Sequence, residues 1–491
     1  MMVKLSGFAP GSDPTLEGIV LDVSNMLPTM RGSLEAAGIG ESVGASPIPA
    51  KPYNMSANLL LDNSSRVFAY TDLNIYELSG TAWISRSKPG GYTTGPVNKW
   101  RFCQFSNDSI ATNYANPVQV STTSGAFADL AGSPPKAAIC ETVAGFVMLF
   151  DTNDGVNQFR DGWWCSGLYD HTAWTPSAFT QAANGRLFDT PGKITAGKRL
   201  GSSVVAYKQK SMYLGQYVGP PVIWQWTQIT DDTGAYCQQA VVSTGGVHYF
   251  LGENGIFAYD GSRPQPIGAV EVRQWLRDNI NVQYADNIKG AYDARRSNVF
   301  WFYPSLNSTG DCDEAIVYNT VTGQFGRMTR VVYAVLDYVS PNMTWAQAAA
   351  LYAAWGGWPN TITWGSPLFY GTAVGLSYVG ADFAIYREQS TGGLSSITLG
   401  DMGDDTETTL LQGCAVRFLK APASATLSNA YKWGEGEPLT VDKTVNMSDY
   451  RFDVLRTGRF HRLTLGFNGT VEVSAADVQL AGNGRHANSP F

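Results

Sequence analysis

Between about residues 55 and 390 the chain repeats one short grammar, and this repetition constrains the fold more than any other feature. An apolar run meets a turn of Gly, Asn or Asp. A second run follows, often with an aliphatic residue or Ala before Tyr, and a polar turn then leads to a Trp or Phe near the end of the unit. Examples are RVFAYTDLNIYELSGTAW (66–83), AAICETVAGFVMLFDTN (137–153) and AVVSTGGVHYFLGENGIFAYDG (240–261), the last with strands flanking Glu253-Asn254-Gly255. Successive units begin roughly 35 to 65 residues apart, the period of blade-like repeats that bury their apolar faces only against a neighbour. The expected fold is therefore all-β, a β-propeller of six to eight blades. A stack of β-sandwiches is the structural alternative, with similar turns at longer and less repetitive spacing.

The flanks differ. Residues 1–54 contain repeated Gly and Pro with little periodicity. They read as an extended N-terminal arm with a first strand, Val20-Leu21-Asp22-Val23, and the arm could lie on a neighbouring subunit or form a surface loop. Residues 55–400 form the propeller. It carries two short helical inserts, one near 271–280 with Val272, Trp275, Leu276 and Ile280 on one face, and one near 344–355 with a stripe of Trp345, Ala348, Leu351, Tyr352 and Trp355. Residues 401–491 alternate well and predict a small C-terminal antiparallel β-domain, or strands that close the ring.

Composition excludes several functions. Charged residues are 15% against roughly 25% in an average soluble protein. The net charge is −7, with no run of five Lys and Arg, so a groove that grips nucleic-acid phosphates is not supported. Cys103, Cys140, Cys165, Cys237, Cys312 and Cys414 are scattered without a CxxC pair and read as buried reduced thiols. His171, His248, His461 and His486 show no ligand spacing. The N-terminal MMVKLSGFAPGSDP lacks the apolar core of a signal peptide, and no stretch of 18 apolar residues predicts a membrane anchor.

The usual parts of an enzyme are missing. No segment matches the sialidase turn S-x-D-x-G-x-T-W; those around Asp170 and Asp151 are only superficially similar. Asp151-TNDG begins like a calcium loop but is out of register, and Gly162 stands where its twelfth-position glutamate would be. Asp401, Asp404, Asp405 and Glu407 read as a solvated linker or a loose cation site. There is no GxxxxGK[ST], HExxH or GxSxG. Trp163-Trp164 and Trp224-Gln225-Trp226 could form a sugar platform but fall where blade strands and their packing are expected. The chain is expected not to be an enzyme. No catalytic, cofactor-binding or metal-binding residue is nominated, no cofactor is expected, and channel-lining positions stay open.

Several stretches together carry a family resemblance. They are residues 99–153, Trp163–Trp174, DTPGKITAGKRLGSSVVAYKQKSMYLGQYVGPPVIWQW (189–226), GIFAYDG (255–261), Pro266-Ile267-Gly268, AIVYN (315–319) and GRFHR (458–462). Across about residues 95–470 the chain resembles the tail nozzle of short-tailed bacteriophages, also called tail tubular protein B or packaged-DNA stabilisation protein. The Trp-rich segment Thr344–Trp358 resembles an insert of that family. The resemblance implies a subunit of a hexameric ring in the virion tail, assembled in the host cytoplasm and fitted below the portal and its adaptor beside other tail proteins. Such a ring extends the DNA channel, retains the packaged genome and passes double-stranded DNA at ejection without sequence-specific binding. The competing class is a carbohydrate-binding or glycoside-hydrolase-like propeller acting on host glycans.

Overall fold

The computed structural model describes residues 2–5, 7–16, 18–62, 64–94, 99–339, 374–404, 406–434 and 436–485. Strands account for 56% of the chain and helices for 4%. The helix expected near 344–355 lies outside the described residues. The other is present as Val270–Asn279, with Val272 and Leu276 buried and Trp275 packed edge-on against Phe8 at 4.9 Å.

Among the described residues seven four-stranded antiparallel units follow one another, a seven-bladed β-propeller. Their innermost strands are Asn54–Leu59, Arg101–Phe105, Lys136–Val143, Ile194–Leu200, Val241–Ser243, Lys289–Asp293 and Ala334–Val339. Each touches the next, and that of blade 7 touches that of blade 1, so the ring is closed. The second strand of a blade is covered by neighbours on both faces. Phe146–Asn153 and Asn298–Tyr303 are accordingly almost continuous apolar runs without alternation. Between blades 3 and 4, Phe146, Phe150, Trp163, Tyr213 and Trp224 form one buried cluster, and Tyr207, Phe250 and Tyr259 do the same between blades 4 and 5. Trp163, Trp224 and Trp226 are thus part of the packing between blades 3 and 4, and Trp164 packs between blades 2 and 3. In blade 3 the first hairpin turns at Ala144-Gly145, both with positive φ, which matches the twist of the strands they join.

The N-terminal segment is extended and pairs with the chain's own sheets at every strand it forms. Met2–Lys4 pairs with Glu472–Arg485, and Val20–Ser24 with Leu394–Gly403. The hairpin Met26–Pro28 and Leu34–Ala36 joins the outer strand of blade 6, Phe325–Val332, to Glu472–Arg485. One ten-stranded sheet therefore runs from blade 6 through this hairpin into the C-terminal domain. Gly38–Ser42 supplies the fourth strand of blade 7, against Ile385–Gly392. Ring closure thus comes from the N-terminal segment and not from residues 401–491. Arg330 and Glu388 clamp the joint: Glu388 Oε1 accepts from Gly38 N at 2.8 Å, and Arg330 donates to Gly38 O and pairs with Glu388. A Cβ on Gly40 would fall 1.8 Å from the Tyr378 hydroxyl, which explains a glycine inside this strand.

The C-terminal domain is a two-sheet sandwich. One sheet has Leu394–Gly403, Phe460–Asn468, Ser424–Lys432 and Thr440–Asn446, with Val20–Ser24 at its edge; the other holds Glu407–Lys420 between Arg451–Gly458 and Glu472–Arg485. Its core is continuous with that between blades 5 and 6, linking Leu411, Leu427 and Leu465 to Ile256, Trp301 and Ile316. The acidic stretch at 401 is not a solvated linker. Leu394–Gly403 is one strand, and Asp401 is buried between Lys432 Nζ at 2.8 Å and Arg462 Nε at 2.7 Å. Asp404 is exposed, and its Oδ1 caps the turn by accepting from the backbone of Thr406 and Glu407. Asp405 lies outside the described residues.

Candidate functional site

Cations gather on the propeller axis because blade after blade places one near the start of its innermost strand. Lys51 precedes Asn54, Lys99 precedes Arg101, Lys193 immediately precedes Ile194, and Lys289 opens its strand. Three adjoining cavities result. One of about 230 Å³ shares Lys99 and Asp286 with one of about 370 Å³, and shares Arg101 with one of about 310 Å³.

The first cavity holds most of the chemistry. The ladder between the second and third strands of blade 3 is irregular beside it: Phe150 pairs with Trp163 and Thr152 with Phe159, so two extra residues bulge on the third strand opposite Asp151. Asp151 itself stands at φ 55° and lines the cavity. Arg160 on the next strand pairs with Asp151 at 3.1 Å and stacks on the Tyr114 ring at 5.0 Å. Tyr114 also has positive φ, and backbone strain at non-glycine residues concentrates at working sites. Lys193 and Asp286 stand 3.9 Å apart. Lys289 Nζ donates to Tyr53 O at 2.7 Å and Gln239 Oε1 at 2.8 Å, and Arg101 Nη1 donates to Trp100 O at 3.0 Å.

Burial dominates the titration of these groups. It pushes the Asp151 carboxyl up to about 7, against the pull of Arg160 and Lys193. It pushes Lys289 down to about 7, helped by nearby Arg101. Lys99 and Arg101 are also lowered by burial first. A raised carboxyl contributes stability that is fully present below its unfolded value near 4 and is lost as pH rises through 7. Asp151→Asn is therefore expected to gain on the wild type progressively between pH 4 and 7, reaching on the order of 4 kcal/mol. Paired urea titrations at each pH would measure it, and a constant difference across that range would refute the assignment. His248 and His461, both pushed down to about 4 by burial, act in the opposite sense and cancel in the comparison.

The residues singled out in the sequence are placed differently. Asp151 belongs to the axial cavity, whereas Asp154 sits in the exposed hairpin, accepting from the backbone of Val156 and Asn157. Asp170 accepts from Thr172 in a turn. All six cysteines are buried and unpaired. Among the described residues, no group of three or more His, Cys, Asp and Glu is placed to hold a metal ion. The cavity residues that sequence reasoning missed are Lys99, Arg101, Asn113, Tyr114 and Lys289. Their signal is a lysine recurring just before or at the innermost strand, which a search for contiguous basic runs passes over.

No family model matches the chain, and no curated protein matches it. Solved structures similar to it include a chain of the mitotic checkpoint complex, at 6% identity and TM-score 0.39, covering 71% of this chain and 94% of that one. YCF48 bound to a D1 peptide is similar at 11% identity and TM-score 0.37, covering 77% and 97%. PorZ, a surface component of the type-IX secretion system of Porphyromonas gingivalis, is similar at 10% identity and TM-score 0.34, covering 62% of this chain and 36% of its own.

Proposed function

We propose that this chain is a non-enzymatic structural subunit of a bacteriophage tail nozzle. Six copies form a ring below the portal and adaptor that retains packaged DNA and passes it at ejection. The observation that carries the reading is the weld between propeller and sandwich. A continuous sheet and a continuous core join the two, as suits a block that bears load within an assembly. The sequence resemblance over residues 95–470 supplies the kind of assembly. Large exposed apolar side chains on blade 3 and the segment after it, among them Val156, Tyr169, Phe179 and Phe188, offer surface of the sort that subunit contacts cover.

The axial cavities are too small for a duplex whose major groove alone is about 12 Å wide. In this reading DNA runs through the middle of the ring of subunits, outside each propeller. The net charge of −7 favours a lumen along which phosphates slide. Native mass spectrometry and electron microscopy of the purified chain, alone and with a portal–adaptor complex, test the proposal. A six-fold ring of the 53.1 kDa subunit docked on the adaptor is expected. A chain that stays monomeric with the adaptor present and binds glycans on an array would overturn it.

A further inference from the structure

Asn113 is 1% exposed and lines the 230 Å³ cavity. Its Oδ1 accepts from Asn116 N at 3.0 Å and Asn116 Nδ2 at 3.2 Å, which fixes the amide with Nδ2 as the free end. That Nδ2 has no hydrogen-bond partner among the described residues, and neither has the buried Tyr114 hydroxyl in the same wall. Buried donors left unpaired are rare and call for a ligand or an ordered water.

The charge balance of the wall points the same way. Asp151 is matched by Arg160 and Asp286 by Lys193. Lys99 and Arg101 have no carboxylate within ion-pair distance among the described residues, nor has Lys289 just beyond. Backbone and amide oxygens satisfy single N–H groups on these cations, at Trp100 O, Asn287 Oδ1, Tyr53 O and Gln239 Oε1, but they carry no countercharge. A guanidinium has five N–H donors, and one bond within the protein leaves most of Arg101 available to the cavity.

We propose that this axial cavity binds a compact, multiply charged oxyanion of the phosphate class, held by Lys99, Arg101, Asn113 Nδ2 and the Tyr114 hydroxyl. The ligand supplies both missing acceptors and the missing negative charge. The site is independent of the nozzle reading, because every group in it comes from a single propeller.

Titration calorimetry and thermal melts of the whole protein with sulfate, inorganic phosphate and pyrophosphate test it, with sodium chloride at matched ionic strength as control. Saturable one-to-one binding with a rise in melting temperature is expected, at least tenfold weaker in Lys99→Gln and lost in Arg101→Met. Arg101→Met removes a buried unmatched cation, so without ligand it should melt no lower than the wild type. That separates loss of binding from loss of fold. Citrate forms a parallel arm: tighter binding than phosphate, with the same dependence on both residues, would keep the oxyanion site and move its ligand to the polycarboxylates. The proposal falls if no anion gives a shift beyond the chloride control, or if Lys99→Gln and Arg101→Met bind as the wild type does.

Discussion

Deleting residues 1–44 is expected to abolish the cooperatively folded state. The deletion removes five strands: three from the ten-stranded sheet, one from the edge of the second sandwich sheet and one that completes blade 7. Val3, Leu5, Phe8, Val20, Val23, Met26, Leu27 and Leu34 are all at most 3% exposed. At about 1.5–3 kcal/mol for each buried aliphatic or aromatic side chain, the loss of these eight is comparable to or larger than the roughly 5–15 kcal/mol by which a typical protein is stable. The remaining chain would also expose the edge of Ile385–Gly392 and leave Glu388 and Arg330 without Gly38. Calorimetry would show no unfolding transition, or the protein would be recovered only as aggregate. A sharp transition within a few degrees of the full chain would refute the closure described for blade 7.

The second large effect is expected at Asp401. Its side chain is fully buried and carries two cationic partners, of which Lys432 is itself 7% exposed. Removing one member of a buried ionic cluster leaves uncompensated charge, at a cost of about 3–5 kcal/mol. Asp401→Ala should lower the unfolding free energy from denaturant titration by that amount, while Asp404→Ala, three residues on and exposed, should cost no more than about 1 kcal/mol. Equal effects at the two positions would restore the reading of this stretch as a solvated linker. A triple change to Asp401→Leu, Lys432→Met and Arg462→Met should recover much of the loss, because an apolar substitute for a buried ionic cluster is often neutral.

The propeller was legible because its determinants are local. Asn254-Gly255 and Ala144-Gly145 announce hairpins in the sequence itself, and the helical face of Val272 and Leu276 follows from spacing alone. Of the N-terminal strands, Val20–Ser24 is legible as a strand in the sequence, but the others are hidden for the opposite reason. Gly38-Ile39-Gly40-Glu41-Ser42 has no strand-like alternation, since the glycine at 40 is required by Tyr378, more than three hundred residues away. Asp401 looked solvated because its partners, Lys432 and Arg462, come from other strands of the same sheet. The axial cavity escaped notice likewise. Lys99, Arg101 and Lys289 are isolated in sequence and become a cluster only when the ring brings blades 2 and 6 to a common centre.

The closing strand has a consequence in time. Gly38 pairs with Gly392, so the earlier strand waits for one made about 350 residues later. At roughly 5–20 residues per second, that interval is about 20 to 70 s on the ribosome. Until its end blade 7 lacks its fourth strand, and of the five N-terminal strands only Met26–Pro28 and Leu34–Ala36 have a partner made early, namely each other. Long-range pairing of this kind also makes folding slow after release. The yield of native protein should therefore depend on how fast translation covers residues 300–392 and on what shields the early strands meanwhile. Slower elongation over residues 300–392 would lengthen the exposure of an unpaired edge rather than give the domain time to fold.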